Sequence, residues 1–487
     1  MYLNQGRTVL VLAQTFKLLN MKIYKTIFIT FWCLSFASCK KYLDIKVNNN
    51  QVFIETAQDC QLLLDNYSIM NLDYPSDGEA SAGEYYLNDA AYSTQNAEDQ
   101  LIYTWNRNAV RDKATPQWRN TYFIIYNANL VLETLEKLKG KDTPQAALDN
   151  LRGQALFFRS YCIWQILQLY ANQYTSSSAN QDLGVPIRLT SDINEVSFRG
   201  TLQQAYDRVV LDLKESANLL FTSVPSVSRP GKAAAYAMLA RVYLSMGNYP
   251  LTLENVDSAL QLQGSLLDYN SDEVNKSPTT NTPFSRFNKE VIFHTVMVNS
   301  PLLNPGSESN PIARINPAIV SQYELNDLRR IVFLKQNKTA GVFDGTYRFT
   351  GNYEQSSGAT LFNGLATDEL YLTRAECYAR LGNISAAMND LNTLLKTRWL
   401  AGTYVNKVAL NADEALVIIL AERRKELLMR GQRWTDLRRL NREGRSSVAL
   451  SRIIQGETYS LPPNDLRFTI LIPNEVIINS PLQQNPR

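Results

Sequence analysis

The stretch "LARVYLSMGNYPLTLENVDSAL", residues 239–260, decides the fold, because a second stretch repeats its pattern. That second stretch, "RAECYARLGNISAAMNDLNTLL", covers residues 374–395 and aligns with the first at a constant offset of 135 residues. Gly247-Asn248 in the first copy therefore matches Gly382-Asn383 in the second. Glycine takes turn conformations that a side chain opposes, and small alanines let paired helices approach closely. Each copy predicts a helix, a Gly-Asn turn and a second helix.

Helix pairs of this kind are typical of tetratricopeptide repeats, in which neighbouring pairs stack to bury a shared core. The two copies are not tandem, so other material interrupts the series of helix pairs. We therefore predict a mostly α fold in which tetratricopeptide-like helix pairs form a right-handed scaffold.

Further helix signals lie between residues 115 and 220. "TPQW" (115–118) and "TPQA" (143–146) each predict threonine at an N-cap and proline at the first helical position. The second opens a long helix whose apolar residues recur in steps of three and four, namely Ala147, Leu151, Ala155, Phe158, Cys162, Ile166 and Leu169. Thr201 with Gln204 has the pattern of a capping box, which predicts another helix from that point.

The segment 263–365 interrupts the helical pattern and is rich in Asn, Ser, Thr, Pro and Gly. It contains the strand-like pieces "EVIFHTVMV" (290–298) and "GVFDGTYRFTG" (341–351). A structureless insert of this length would be unusual in a folded domain. We predict an irregular, loop-rich subdomain with short strands, and loops on a rigid scaffold often carry binding function.

Composition excludes several classes of function. The net charge is +3, and four of the basic residues lie in the first 38 positions without an acid, so no basic footprint for nucleic acid remains. His294 is the one histidine, which argues against histidine-based zinc sites, Ser-His-Asp triads and Cys-His dyads. The five cysteines include no CxxC pair, so neither a zinc ribbon nor a disulfide framework is predicted. We expect no metal and no cofactor.

The first 38 residues are predicted to be a signal peptide. Lys22 and Lys25 form a positive region, and residues 27–38 form an apolar run of about twelve, shorter than the ~20 residues that span a bilayer. We expect translation to start at Met21, with residues 1–20 an over-extended start. The rival is that Met1 is the true start and that "TVLVLAQTFKLL" belongs to the leader.

The leader ends in Phe36-Ala37-Ser38-Cys39, which resembles a bacterial lipobox, although phenylalanine departs from the usual aliphatic residue at its position. In a lipobox the cysteine becomes the first residue of the mature protein and carries lipid, such as palmitate. Acyl chains anchor a protein at ~0.8 kcal/mol per buried methylene, and stable attachment needs more than one chain. We predict lipidation at Cys39 and a lipidated tether over 39–52. The alternative is an unmodified cysteine just beyond an ordinary cleavage site.

Seven stretches in order along the chain resemble the SusD/RagB family. They are "QWRNTYFIIYNANLVLETLE" (117–136), "GQALFFRSYCIWQILQLYA" (153–171), "LGVPI" (183–187), "GKAAAYAMLARVYLSMGNY" (231–249), "DELYLTRAECYARLGN" (368–383), "ERRKELLMRGQRWTDLRRL" (422–440) and "LIPNEVIINSPLQQNP" (471–486). The resemblance implies one SusD-like domain over 53–487. Within it we expect an N-terminal part at about 53–250, the insert at about 263–365 and a C-terminal SusD/RagB part at about 366–487.

The resemblance also implies a function. Members are surface lipoproteins of Bacteroidetes that sit on the outer membrane, facing the exterior, as a lid over a SusC-like TonB-dependent transporter. They capture glycans or other nutrients for import and are not enzymes. Two alternatives stay open: a tetratricopeptide-like scaffold that binds only another protein, and a glycoside hydrolase, which would need two carboxylates at a defined separation.

The most visible family signature in this sequence is the cluster Arg433, Trp434, Asp436 and Arg438. Tryptophan and arginines on a helix beside "ERRKELL" are explained by packing and a buried ion pair. We therefore predict a structural role for these four residues and none in catalysis.

Ligand contact requires stacking aromatics flanked by amides and carboxylates, because sugars present apolar C–H faces and hydroxyl edges. The aromatic candidates in loops are Tyr74, Tyr85, Tyr86, Tyr92, Trp105, Phe343, Tyr347 and Tyr353. The polar candidates are Asp73, Asp77, Asn88 and Asp89. The alternative for each is that it packs its own loop. "LDYPSDGE" (72–79) lacks the twelve-residue spacing of a calcium loop, which disfavours a calcium site there.

Overall fold

Helices make up most of the secondary structure in the computed structural model, which describes residues 54–114, 116–140, 143–338, 344–444 and 448–487. The predicted leader, Cys39 and the tether to residue 52 lie outside the described residues. Residues Glu55–Arg487 pack as one compact unit. The internal boundaries that the sequence suggests stay predictions.

Seventeen α-helices occur in the described part of the chain. The first ten are α1 (Ala57–Leu64), α2 (Tyr67–Met70), α3 (Asp77–Ser81), α4 (Asp89–Ser93), α5 (Ala97–Tyr103), α6 (Pro116–Leu138), α7 (Gln145–Tyr170), α8 (Leu202–Leu219), α9 (Lys232–Met246) and α10 (Tyr249–Leu262). The remaining seven are α11 (Pro317–Val320), α12 (Arg329–Phe333), α13 (Thr367–Arg380), α14 (Ile384–Lys396), α15 (Ala412–Glu426), α16 (Arg433–Arg442) and α17 (Asn474–Ile478).

The two repeated stretches form helix pairs with the same turn. Gly247 ends α9 and Gly382 follows α13, and both take the left-handed conformation, with φ of 78° and 83°. Asn248 and Asn383 then cap α10 and α14, since each side-chain oxygen accepts a hydrogen bond of 3.2 Å from the backbone N–H three residues later. In both copies the turn is therefore formed as predicted, by a left-handed glycine followed by an asparagine that caps the next helix.

The copies are separated along the chain but adjacent in space, because α10 packs directly against α13. Leu372 and Ala375 of α13 join Leu391 and Leu395 of α14 in a buried apolar cluster that Ile419 of α15 completes. The mostly α fold built on tetratricopeptide-like helix pairs is confirmed.

The long N-terminal helices follow the sequence signals with one shift. Pro116 is the first residue of α6, as predicted. Pro144 instead precedes α7, with φ −56° and ψ 132°, so Gln145 starts the helix and the predicted N-cap at Thr143 is wrong by one residue. The capping box of α8 is present, with Thr201 and Gln204 each accepting a hydrogen bond from the backbone N–H of the other.

The strands of the described chain are short and pair into two-stranded antiparallel sheets. The pairs are β1 (Tyr85–Tyr86) with β5 (Arg314–Ile315), β2 (Leu183–Pro186) with β3 (Arg199–Thr201), β4 (Val291–Phe293) with β8 (Leu365–Ala366), β6 (Leu334–Gln336) with β7 (Tyr347–Phe349), and β9 (Leu450–Ile454) with β10 (Glu457–Leu461). The insert thus carries short strands, and its buried core includes Tyr269, Phe284, Phe333, Tyr353 and Phe362.

Two remaining features bear on the sequence predictions. No helix in the described ranges combines the length and the apolar character needed to cross a membrane. Cys60, Cys162 and Cys377 are buried free thiols. Burial raises the pKa of Cys60 to about 11, as expected of cysteines that act as small apolar side chains.

Candidate functional site

The hairpin of β6 and β7 separates two pockets in the insert. Successive side chains of a strand point to opposite faces, so neighbouring residues of β7 serve different surfaces. Tyr347 lines one pocket, here called the aromatic pocket, and Arg348 lines the other, here called the polar pocket. Two consecutive residues of one strand thus line two chemically different cavities.

The aromatic pocket has a volume of about 240 Å³ and is lined by Tyr86, Ile315, Pro317, Val320, Ser321, Tyr323, Arg330, Gly345, Thr346 and Tyr347. Tyr86 of β1 and Tyr347 of β7 are half-buried, so each keeps part of its ring accessible. Tyr323 is buried, and its hydroxyl donates to the carbonyl oxygen of Lys425 at 2.8 Å, which fixes the ring as part of the wall. The guanidinium carbon of Arg314 lies 5.8 Å from the centroid of the Tyr86 ring, a cation–π contact that orients it.

The polar pocket is larger, about 480 Å³, and is lined by Pro278, Thr279, Asn281, Pro305, Gly306, Ser307, Glu308, Lys338, Arg348, Phe349, Thr350 and Ser357. Arg348 is buried and donates to Oδ1 of Asn281 at 3.0 Å. At the exposed rim, Lys338 and Glu308 lie 3.8 Å apart. Hydroxyl, amide, carboxylate and cationic groups therefore converge on one cavity, the arrangement that fixes the orientation of a polar ligand.

The two pockets together offer the two kinds of contact that a sugar needs. Half-exposed tyrosine rings can stack on apolar C–H faces, and polar side chains across the hairpin can bond hydroxyl groups. Tyr86 and Tyr347, both predicted from the sequence, are brought together here because β1 pairs with β5 and β5 contacts β7.

Four predicted aromatic contacts are corrected by the structure. Tyr74, Tyr85, Trp105 and Tyr353 are each at most 3% exposed. Their polar atoms donate to acceptors inside the protein, namely the carbonyls of Met70, Ala80 and Ser81 and the carboxylate of Glu290. Satisfied hydroxyl and indole groups let these large rings contribute apolar burial to the core, which leaves no face for a ligand.

The predicted polar residues are engaged in local structure. Asp73 accepts from the side chain of Asn120 at 3.1 Å. Asn88 caps α4, and Asp89 accepts from the backbone N–H of Gln455 at 2.8 Å. Asp77 is buried in an ion pair of 2.7 Å with Arg111, so it is corrected from a candidate contact to a structural residue.

Two predicted aromatic residues remain. Tyr92 is half-buried, and its ring packs against that of Tyr103 with the centroids 5.8 Å apart. It does not line either pocket. Phe343 lies outside the described residues.

Sequence reasoning missed the residues of the polar pocket, chiefly Asn281, Glu308, Lys338 and Arg348. All four lie in the segment that the sequence predicts as the insert. The available signal was strand alternation in "TYRF" (346–349), which places Tyr347 and Arg348 on opposite faces. Within the described residues, no group of histidine, cysteine and carboxylate side chains is arranged to hold a metal ion.

The signature residues of α16 lie inside the fold. Trp434 is 2% exposed, and its ring lies against that of Phe468, with centroids 4.7 Å apart. Burial would raise the pKa of Asp436, but the guanidinium groups of Arg423 and Arg439, at 2.9 and 2.8 Å, outweigh it and lower the pKa to about 2. The carboxylate is therefore held ionised between two arginines.

The other two signature residues connect α16 to distant segments. Arg433 pairs with Glu84 at 2.6 Å. Arg438 donates to the backbone carbonyl oxygens of Gln168 and Ala171, at the end of α7. None of the four signature residues lines the aromatic pocket or the polar pocket.

Two family models match the chain on either side of the insert. The first, described as "Starch-binding associating with outer membrane", covers residues 41–244. The second, described as the SusD family, covers residues 367–467. The pockets lie mainly in the segment between these two matches.

Individual SusD-like proteins are also similar to this chain in sequence or in structure. The SusD-like protein P38 of Formosa agariphila is 23% identical over 492 residues, covering 87% of this chain and 93% of P38. A SusD superfamily crystal structure from Bacteroides thetaiotaomicron has a TM-score of 0.72 at 20% identity, covering 89% of this chain and 100% of its own. A laminarin binding SusD-like protein has a TM-score of 0.63 at 15% identity, covering 88% and 98%. The chain belongs to the SusD/RagB family, whose members include carbohydrate-binding proteins.

Proposed function

We propose that this protein captures glycans in the two pockets beside the β6–β7 hairpin and passes them to a SusC-like TonB-dependent transporter. The observation that carries the proposal is the position of Tyr86 and Tyr347 in the aromatic pocket, with the polar pocket on the other side of the same hairpin. The family supports it, because one matching family model is described as starch-binding and a structural neighbour binds laminarin.

Capture without hydrolysis is part of the proposal. Glycoside hydrolysis uses two carboxylates that flank the scissile bond. Among the described residues that line the pockets, Glu308 is the single carboxylate, and it pairs with Lys338 at the exposed rim. This arrangement favours binding over bond cleavage.

The test is isothermal titration of the mature protein against a panel of polysaccharides and oligosaccharides, with chromatography of each mixture after incubation. We expect at least one glycan to bind and to be recovered intact. Binding to no glycan would contradict the proposal, and release of shorter products would favour the hydrolase alternative.

Attachment to the outer membrane through Cys39 is also proposed. It is supported by the lipobox-like stretch that ends at Cys39 and by the outer-membrane description of the first family model. Labelled palmitate should enter the wild-type protein, and Cys39→Ala should remain unlabelled and soluble. Protease shaving of intact cells tests whether the lipidated protein faces the exterior, since a periplasmic protein would survive the treatment.

One observation favours a second candidate, a scaffold that binds only protein. The segment between β2 and β3 exposes Ile193, Val196 and Phe198 by 81%, 56% and 70% of their surfaces, and exposed apolar residues in a group suit a protein partner. Deletion of the gene distinguishes the two. Unchanged glycan uptake, together with retained binding of the purified protein to the transporter, would favour the scaffold.

A further inference from the structure

The face of the β6–β7 hairpin that borders the polar pocket carries two cations directly opposite each other. Lys335 of β6 pairs in register with Arg348 of β7. Residues directly opposite in an antiparallel pair have Cβ atoms about 4.5–5.5 Å apart on the same face, and like charges in that position repel. The next pair, Gln336 with Tyr347, belongs to the other face and the aromatic pocket.

Both cations are buried without a carboxylate in contact. Each residue is 6% exposed, and no carboxylate oxygen of the described residues lies within 4.0 Å of either charged group. Lys335 donates to the carbonyl oxygen of Ser277 at 2.9 Å, and Arg348 donates to the carbonyl of Gln336 and the side-chain oxygens of Asn337 and Asn281. These acceptors satisfy hydrogen bonds but bring no negative charge into contact with either cation, which costs free energy in a buried site.

Nearby charges do not remove this excess. Burial lowers the pKa of Arg348 and outweighs the charge of Glu308, which lines the polar pocket and acts to raise that pKa. Glu308 is itself exposed and pairs with Lys338. The five residues 339–343 at the end of the hairpin include no charged side chain. Burial, and then the charge of Arg348, lower the pKa of Lys335, as expected for a cation that lacks a counter-ion.

The pairing is unusual within this protein. Other deeply buried arginines, such as Arg329, Arg398 and Arg439, each contact two or more carboxylates. Arg438 and Arg452 are also buried without a contacting carboxylate among the described residues. Arg438 lies in a helix and Arg452 stands opposite Tyr459 in its strand pair, so neither faces a second cation across a strand pair. Lys335 and Arg348 combine burial with like-charge pairing, and Arg348 of the pair lines the 480 Å³ polar pocket.

We infer that the polar pocket selects glycans carrying an anionic group, either the carboxylate of a uronic acid or a sulfate ester. The inference rests on the proposed function and names the substrate class of the same site. The anionic group lies against Arg348, whose planar guanidinium bonds two oxygens at once, while Lys335 adds its charge from the neighbouring strand. Tyr86 and Tyr347 hold an adjacent sugar ring across the hairpin.

Matched pairs of ligands test the inference by isothermal titration of the full mature protein. One pair is an oligogalacturonate and its methyl ester, and the other is a κ-carrageenan oligosaccharide and its chemically desulfated form. We expect at least one acidic member to bind about tenfold or more tightly than its neutral partner, with an affinity that falls as NaCl is raised. The two pairs distinguish a carboxylate from a sulfate ester.

Substitutions of the two cations test whether the preference for acidic ligands arises at the polar pocket. Arg348→Gln and Lys335→Gln should each reduce the acidic-over-neutral ratio severalfold, and Arg348→Lys should retain part of it. Lys289→Gln removes an exposed cation that does not line the pocket, so it is the charge-matched control and should leave the ratio unchanged. Thermal unfolding checks that each variant is folded. If Arg348→Gln does not fold, the affinity ratio of Lys335→Gln tests the inference.

Each outcome is decisive. Neutral members that bind as tightly as their acidic partners overturn the inference but leave the proposed function standing. A ratio that survives both Arg348→Gln and Lys335→Gln overturns the assignment to this pocket. If neither these ligands nor any glycan of the wider panel binds, the proposed function fails and the inference fails with it.

Discussion

Trp434 is the residue whose structural role can be tested most simply. Its ring is buried against Phe468, and the same helix, α16, carries the ion-paired Asp436. Trp434→Ala should lower the free energy of unfolding by about 3–5 kcal/mol, as large-to-small core substitutions do. Urea unfolding followed by circular dichroism measures the loss. Glycan affinity of the folded fraction should stay unchanged, and an unaltered urea midpoint would contradict the structural role.

Glu79 makes the stability of this protein depend on pH. Burial, and then the carboxylate of Glu84, raise the pKa of Glu79 from 4.5 to about 8, although the N–H of Gly431 and the charge of Arg433 act in the opposite direction. Between these two pH values the folded protein keeps a proton that the unfolded chain has released. The contribution of Glu79 to stability is therefore fully present below pH 4.5 and is lost as the pH rises toward 8.

Glu79→Gln keeps a neutral side chain at every pH and should flatten this dependence. Urea midpoints at several pH values between 5 and 8 measure it, with Glu254→Gln as an exposed control that leaves the wild-type slope intact. A slope in Glu79→Gln equal to that of the wild type would assign the pH dependence to other groups.

The turn of each helix pair is the element at which sequence and structure agree most closely. Gly382 is left-handed, and a Cβ built there would meet no atom within 4 Å. Gly382→Ala should therefore lower the free energy of unfolding by about 1–2 kcal/mol, which is the cost of placing alanine in the left-handed conformation. At Gly247 an added Cβ would also lie 2.8 Å from a guanidinium nitrogen of Arg442, so Gly247→Ala should cost more.

Thermal or urea unfolding of both alanine variants checks this order. Gly382→Asn is the matched control, because asparagine enters the left-handed region more readily and should recover part of the loss. Equal stability of Gly382→Ala and the wild type would show that the turn does not need its glycine.

The elements differ in how far the sequence predicts them, and the reason is the range of the interactions. Gly-Asn turns, the capping box at Thr201 and the apolar steps of α7 are set by residues within one or two helical turns, so the sequence shows them directly. The register of β6 with β7 depends on packing across the insert. The sequence can therefore show that Tyr347 and Arg348 point to opposite faces, but not that Arg348 stands opposite Lys335.

Burial separates the predicted site residues that line a pocket from those that lie in the core. Tyr85 and Tyr86 are adjacent and identical in kind, yet Tyr85 is 1% exposed in the core and Tyr86 lines a pocket. The alternation of a two-residue strand decides this, and it is visible only once the pairing of β1 with β5 is known. The sequence points to the loop-rich region as the candidate site but does not choose among its aromatic residues.

At the scale of the whole molecule, the family signature and the candidate site occupy different parts of the chain. The family models match the scaffold on either side of the insert, whereas both pockets are built mainly from the insert. A scaffold that shares its fold with many relatives can therefore carry a site of its own. This division explains why the fold was predictable and the ligand was not.

The central claim is that glycans are captured beside the β6–β7 hairpin. The most direct measurement is isothermal titration of the glycan that binds the wild type with the variant Tyr86→Ala/Tyr347→Ala, beside Tyr236→Ala as a half-buried tyrosine outside both pockets. We expect at least a tenfold weaker affinity for the double variant, since about 1.4 kcal/mol of lost stacking corresponds to that factor, and no change for the control. Wild-type affinity in a folded double variant would contradict it.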